Sequence, residues 1–241
     1  MEWHECIDLI TPHLVHISTP RGSGTGWLVS VSATTDLCAI ATAAHVVDHA
    51  HYWEEPIRIL HPHSGSSLLL RATQRAIHLD NSIDSAAIVF ERGELPLPSS
   101  TLELTRSGYF TKAGVEIGWM GYPALHQSNA CFFSGRISHY DQPKKRYLVD
   151  GVAINGVSGG PTFWNKSASP GGTLELIGIV SAYMVNRATG EALPGLAVIQ
   201  DVSQFYDIAE RFRDIDEAKS SETAPEETAE AQHAEVPTPG A

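Results

Sequence analysis

The chain has 241 residues, with 16 Lys and Arg against 28 Asp and Glu, for a net charge of −12. Between Asp214 and Ala241 eight acids face one base, Lys219, so that segment alone carries −7 and the rest of the chain −5. An acidic body with an acidic tail argues against nucleic-acid binding, which needs Lys and Arg to neutralise phosphates. No apolar run approaches the roughly 18 residues of a membrane span, so no membrane partner is expected.

Charged residues make up only 18%, and 20 Gly with 14 Pro favour strands and turns over helix bundles. The length suits one large β domain or two small ones packed together. The three cysteines, Cys6, Cys38 and Cys131, have no close spacing and read as reduced, mostly buried thiols. The segment Met1–Cys6 has neither a basic nor an apolar stretch of the secretory kind, so a cytoplasmic setting is expected.

Taken in order, His13–Thr19, Gly26–Val31, Leu37–Ala41, Ile57–Leu60, Leu68–Leu79 and Ala86–Phe90 read as strands. A polar, Pro-containing stretch, Glu91–Ser100, precedes a second series. That series comprises Val115–Gly121, Cys131–Tyr140, Arg146–Ile154, the run from Pro161, Thr173–Met184 and Leu196–Ile199. About a dozen short strands with almost no helical periodicity indicate an all-β sandwich or barrel, here in two units. One helix is predicted from Ser203, with Phe205, Ile208, Ala209, Phe212 and Ile215 on one face that should dock on the second unit. Beyond Lys219 the only large apolar residue is Val236, so residues 219–241 read as a disordered acidic tail.

The chemistry concentrates in Gly156-Val157-Ser158-Gly159-Gly160-Pro161. Glycines around a serine permit a tight turn and close substrate approach. A serine hydroxyl is a poor nucleophile alone and needs a histidine base oriented by a carboxylate. The string also fits the nucleophile elbow of α/β-hydrolases, but there a helix and a later histidine follow the serine. Here a strand-like run follows, and the only later histidine is His233 in the tail. The base must lie upstream. His45 follows the apolar run Ile40–Ala44 among small residues, and Asp84 directly precedes the run Ser85–Phe90. Asp80 is the competing acid.

The order His45, Asp84, Ser158 is that of the chymotrypsin class. In Gly22–Val29, Thr42-Ala43-Ala44-His45, Asp84-Ser85-Ala86-Ala87-Ile88 and Gly156–Pro161 the chain resembles the chymotrypsin/trypsin-like serine peptidases. It is closest in style to bacterial trypsin-like and HtrA-like domains. The resemblance spans roughly residues 10–200. It implies an all-β fold of two six-stranded Greek-key β-barrels (chymotrypsin-like double barrel) with the active site between them. The corresponding boundaries are 1–105 for the first barrel, 106–202 for the second, 203–218 for the helix and 219–241 for the tail.

The resemblance further implies a serine endopeptidase acting on polypeptide substrates through an acyl-enzyme, without metal or cofactor. His45 would be the base, Asp84 its orienting acid and Ser158 the nucleophile. The N–H groups of Gly156 and Ser158 would form the oxyanion hole. Val152, six residues before the nucleophile, would sit at the floor of the specificity pocket. Ser181, Ala182 and Tyr183 would pair with substrate backbone and form a pocket wall, with Tyr183 narrowing the mouth. Three departures accompany the likeness. Val157 stands where digestive members carry an acid that receives a new N-terminus. Cys38 has no partner near His45, and only the tail follows where HtrA-like members add a peptide-binding domain.

The alternative is a catalytically silent interaction module on the same double barrel. An esterase on another fold has the wrong residue order. The pairs His49/His51 and His61/His63 lack a completing carboxylate or thiol at metal-site spacing and read as exposed loop histidines. Lys144-Lys145-Arg146 reads as a solvated turn. No motif specifies a regulatory protein partner.

Overall fold

A computed structural model describes residues 1–126, 128–166, 173–185 and 192–223, and among these residues thirteen strands run in two successive sets. The first set is β1 (Leu14–Thr19), β2 (Gly22–Val31), β3 (Leu37–Thr42), β4 (Ile57–His61), β5 (Ser66–Leu70), β6 (Arg75–Asp80) and β7 (Ser85–Glu91). They form an antiparallel seven-stranded sheet in the order β5-β4-β1-β2-β3-β7-β6. The second set is β8 (Glu116–Gly121), β9 (Cys131–Asp141), β10 (Arg146–Asp150), β11 (Pro161–Asn165), β12 (Leu174–Val185) and β13 (Ala192–Asp201). These close a six-stranded barrel in the order β10-β13-β12-β11-β8-β9.

The all-β double-barrel expectation is therefore met by a closed second barrel and a first unit that is a half-barrel sheet. The first unit departs from the six-strand expectation by one strand, because Leu68–Leu79 is not continuous. Ala72–Gln74 makes a short 3₁₀ turn capped by Arg71, whose N–H donates to Gln74 Oε1 at 2.9 Å. That turn divides the run into β5 and β6.

Why these residues make strands is visible in their burial. β3 is buried at five of its six residues, as its unbroken apolar run requires at the centre of a sheet. The first core gathers Trp27, Leu28, Ile40 and Ile88, and it continues into the second unit through Met120, Phe163, Leu176 and Ile179. Trp119, Ile177, Val180 and Ile199 form the inner core of the closed barrel.

Among the described residues three α-helices accompany the strands: α1 (Trp3–Ile10), α2 (Ala44–Tyr52) and α3 (Phe205–Thr223). The predicted helix is α3, longer by one turn than expected. Its docking corrects the expectation, because Phe205 meets Trp27 of β2 edge-on at 5.8 Å and joins the first core with Ile208 and Phe212. Leaving β13, the helix crosses back to the first unit. Near its end Asp216 accepts the N–H groups of Ala33 and Thr34 and the hydroxyls of Ser32 and Thr34. Those bonds hold the Asp216 carboxyl down at about 2. Residues 219–223, expected to belong to the disordered tail, instead continue α3, and from residue 224 onward that expectation lies outside the described residues.

Cys6 and Cys38 are buried and Cys131 is half-buried, all as free thiols. Burial pushes the Cys38 thiol up to about 12, so it is inert at neutral pH. His61 is buried rather than exposed, its ring nitrogens facing Ser64 Oγ and the Pro12 carbonyl at 2.8 and 3.0 Å. His49 lies half-buried on α2 against Glu55 at 2.9 Å. Among the described residues no helix is long and apolar enough to cross a membrane.

Candidate active site

β3 ends at Thr42, and α2 begins two residues later with Ala43 in extended geometry at its N-cap. Ala43 and Ala44 are fully packed, so His45 is the first residue of this corner to reach solvent. Asp84 stands immediately before β7 in the left-handed region at φ 51°, a conformation that Asp tolerates better than most residues. This backbone turns its carboxylate back toward α2. Asp84 accepts the His45 backbone N–H at 3.0 Å, and His45 Nδ1 lies 2.9 Å from both carboxylate oxygens. An ionised carboxylate only accepts, so Nδ1 carries the proton and Nε2 is left as the free acceptor of the neutral ring.

A third donor comes from the other barrel. Ser181 Oγ, on β12, donates to Asp84 Oδ2 at 2.6 Å. The two units therefore meet on this one carboxylate. The competing acid is occupied elsewhere: Asp80 accepts the N–H and hydroxyl of Ser82 at 2.9 and 2.6 Å within its own turn.

The electrostatics follow from these contacts. The hydrogen bond to Asp84 pulls the His45 imidazole above its ordinary value against the opposing effect of burial, and the charges of Asp84 and Asp48 add to the rise. Burial pushes the Asp84 carboxyl up, but the hydrogen bonds and charge of His45, with the Ser181 hydroxyl, outweigh it and leave the net shift downward. The histidine side chain remains 48% exposed, open to an incoming group.

Ser158 lies in the turn between the segment after β10 and β11. Gly156 at φ +93° and Gly159 at φ +83° need left-handed backbone, and a Cβ on Gly159 would strike the Thr25 carbonyl and Thr42 Oγ1. The turn thus lies directly against β2 and the end of β3, the strand that leads to His45. The Asn155 carbonyl accepts from Ala124 N–H at 2.8 Å and the Val157 carbonyl from Gly160 N–H at 2.9 Å. In trans peptides the N–H points opposite its carbonyl, so the Gly156 and Ser158 N–H groups face away from these partners. Neither N–H donates to any acceptor among the described residues. Ser158 Oγ and His45 Nε2 likewise have no hydrogen-bond partner among them.

Of the residues that the resemblance implies for a specificity pocket, Val152 is 48% exposed and its carbonyl accepts Trp119 Nε1–H at 3.2 Å. Ala182 is exposed on β12 and pairs with Val198 across a bulge. Tyr183 pairs with Ala197, while its side chain lies outside the described residues. Two side chains escaped the sequence reading in the role they play here. The sequence carries no sign that the Ser181 hydroxyl reaches Asp84, beside the substrate wall that the resemblance implies for it, and none that Thr25, within a Gly-rich strand, meets the Gly156 carbonyl. Among the described residues no group of three or more His, Cys, Asp or Glu is placed to hold a metal ion.

No protein-family model and no curated protein matches the sequence. Solved structures do match. A serine endoprotease from Yersinia pestis superposes with a TM-score of 0.61 at 17% identity, over 88% of this chain and 66% of that one. This chain thus spans about two-thirds of the Yersinia chain. An inactive serine-to-alanine mutant of Rv3671c from M. tuberculosis H37Rv gives 0.56 at 18% identity, over 91% of both chains. The Rv3671c protease in an inactive form gives 0.57 at 18%, over 86% of this chain and 91% of that one. The fold is that of the trypsin-like serine peptidases.

Proposed function

We propose that this chain is a serine endopeptidase in which Ser158 attacks a peptide carbonyl, His45 takes its proton and Asp84 orients His45. The observation that carries the reading is the Asp84 carboxylate bound to both the Nδ1 and the backbone N–H of His45. That geometry leaves Nε2 as the base, as the triad mechanism needs. The vacant N–H donors of Gly156 and Ser158 support an oxyanion site, where one lost donor typically costs about 3–4 kcal/mol of barrier. The tetrahedral adduct would then collapse as the C–N bond breaks and His45 returns the proton to the leaving amine, and water activated through the same imidazole would hydrolyse the acyl-enzyme and free Ser158.

Polypeptides are the substrate class, and the free cysteines fit a reducing, cytoplasmic setting. With Val152 at the pocket position no carboxylate meets a basic side chain, so cleavage after Arg or Lys is disfavoured. Tyr183→Gly should broaden cleavage toward Phe and Leu if its ring narrows the mouth. The unmade Ser158–His45 contact also suits a catalytically silent interaction module. A fluorophosphonate probe separates the two: covalent mass on Ser158, abolished in Ser158→Ala, supports the enzyme. Absence of labelling together with no cleavage in a peptide library would leave the silent module.

A further inference from the structure

Strand β2 carries a fully buried hydroxyl that the triad does not use. Thr25 Oγ1 donates to the Gly156 carbonyl at 2.8 Å and accepts the Tyr122 N–H at 2.9 Å. The Thr25 N–H donates to the Ser158 carbonyl at 2.8 Å. Its own carbonyl accepts the buried Thr42 Oγ1 at 2.7 Å. One residue of the first unit therefore holds both flanks of the nucleophile turn and ties them to Thr42, three residues before His45.

Four other carbonyls of the turn are held by backbone. Asn155 is held by Ala124, Val157 by Gly160, Ser158 by Thr25 N–H and Gly160 by Val180. The Gly156 carbonyl differs in depending on a side-chain hydroxyl. It also belongs to a glycine at φ +93°, whose flanking peptides meet the least steric resistance to rotation. A second route converges on the same glycine. The segment Tyr122–Ala124, anchored by its Tyr122 N–H to Thr25 Oγ1, holds the Asn155 carbonyl and thereby aims the Gly156 N–H.

We infer that Thr25 is a positioning residue for the oxyanion site, fixing the peptides around Gly156 so that its N–H and that of Ser158 stay available to the developing oxyanion. The inference rests on the peptidase reading above. An oxyanion forms only in the transition state, so loss of aim lowers kcat and leaves substrate affinity in place.

The test compares Thr25→Val, which keeps the branched shape without the hydroxyl, with Thr25→Ser, which keeps the hydroxyl. Thr25→Val should lower kcat about 10- to 100-fold with KM within about twofold, less than or equal to the loss of a whole donor. Inhibition by a peptide aldehyde, whose hemiacetal oxygen mimics the oxyanion, should weaken by the same factor. Thr25→Ser should recover most of both. If Thr25→Val fails to fold, Thr25→Ala removes the same hydroxyl with less crowding and carries the same expectation. Unchanged kcat in a folded hydroxyl-free variant, a rise in KM alone, or an equal loss in Thr25→Ser overturns the inference. Should wild type neither cleave peptides nor label, the peptidase reading fails by itself. Amide NMR then decides the positioning claim separately: the Gly156 and Ser158 resonances should shift in Thr25→Val and not in Thr25→Ser, and unshifted resonances overturn it.

Discussion

Asp84 is the residue on which most of the local physics converges, because one carboxylate satisfies three donors from two units. Asp84→Asn keeps the shape and tolerates the same left-handed φ, so it removes charge with little backbone strain. Turnover should fall about 10⁴-fold through loss of histidine orientation, while Asp80→Asn, whose acid serves its own turn, should be nearly silent. Ser181→Ala should cost less, on the order of tenfold, since one charge-assisted hydrogen bond goes and the His45 contacts stay. The pH dependence follows in sign. His45 must be neutral to act as base, and its pKa is raised above the ordinary 6.5. The kcat/KM profile should therefore rise through an inflection above that value, and Asp84→Asn should move it down. Stability runs the other way. The raised His45 contributes stability present below 6.5 and lost as pH climbs through its folded value. The depressed Asp84 contributes stability present above its ordinary 3.8 and lost on acidification. A melting temperature that rises while activity turns on would contradict this pairing.

Among the elements, α3 shows how far an amphipathic stripe can be read and where reading stops. Phe205, Ile208 and Phe212 are all buried, as their spacing predicts. Periodicity says which face is apolar but not which surface covers it, and that surface proved to be β2 of the first unit. Phe205→Ala should destabilise the protein by about 3–5 kcal/mol, the usual cost of emptying a buried aromatic site, measured by denaturant unfolding. A loss below about 1 kcal/mol would mean that the helix is only loosely applied. The short helix α2 was illegible for a different reason. Its nine residues include three histidines and two valines, residue types with modest helix propensity, and its stability comes from packing against β1, β6 and β7.

Over the whole molecule the two units are joined rather than merely adjacent. The first core runs into Phe163, Leu176 and Ile179 of the closed barrel, and α3 returns from the second unit to the first. The hydrogen bonds Ser181–Asp84, Thr25–Gly156 and Thr25–Ser158 cross the same boundary. Calorimetry should accordingly show one cooperative transition with equal calorimetric and van't Hoff enthalpies. Two resolved transitions would show that the units unfold independently.

From sequence alone came the strand-rich class, the division into two series, and the order His45, Asp84, Ser158, because these rest on local spacing and on residue chemistry. Alternation and apolar runs report burial along a strand, and glycines report backbone that no other residue adopts easily. The tertiary structure alone decided which strands pair, which face receives α3, and that Ser181 turns its hydroxyl to Asp84. It also decided that Thr25 hydrogen-bonds a carbonyl 131 positions further along the chain. Such contacts depend on how two sheets come together in space, and a threonine within a glycine-rich strand carries no local mark of the partner it will meet.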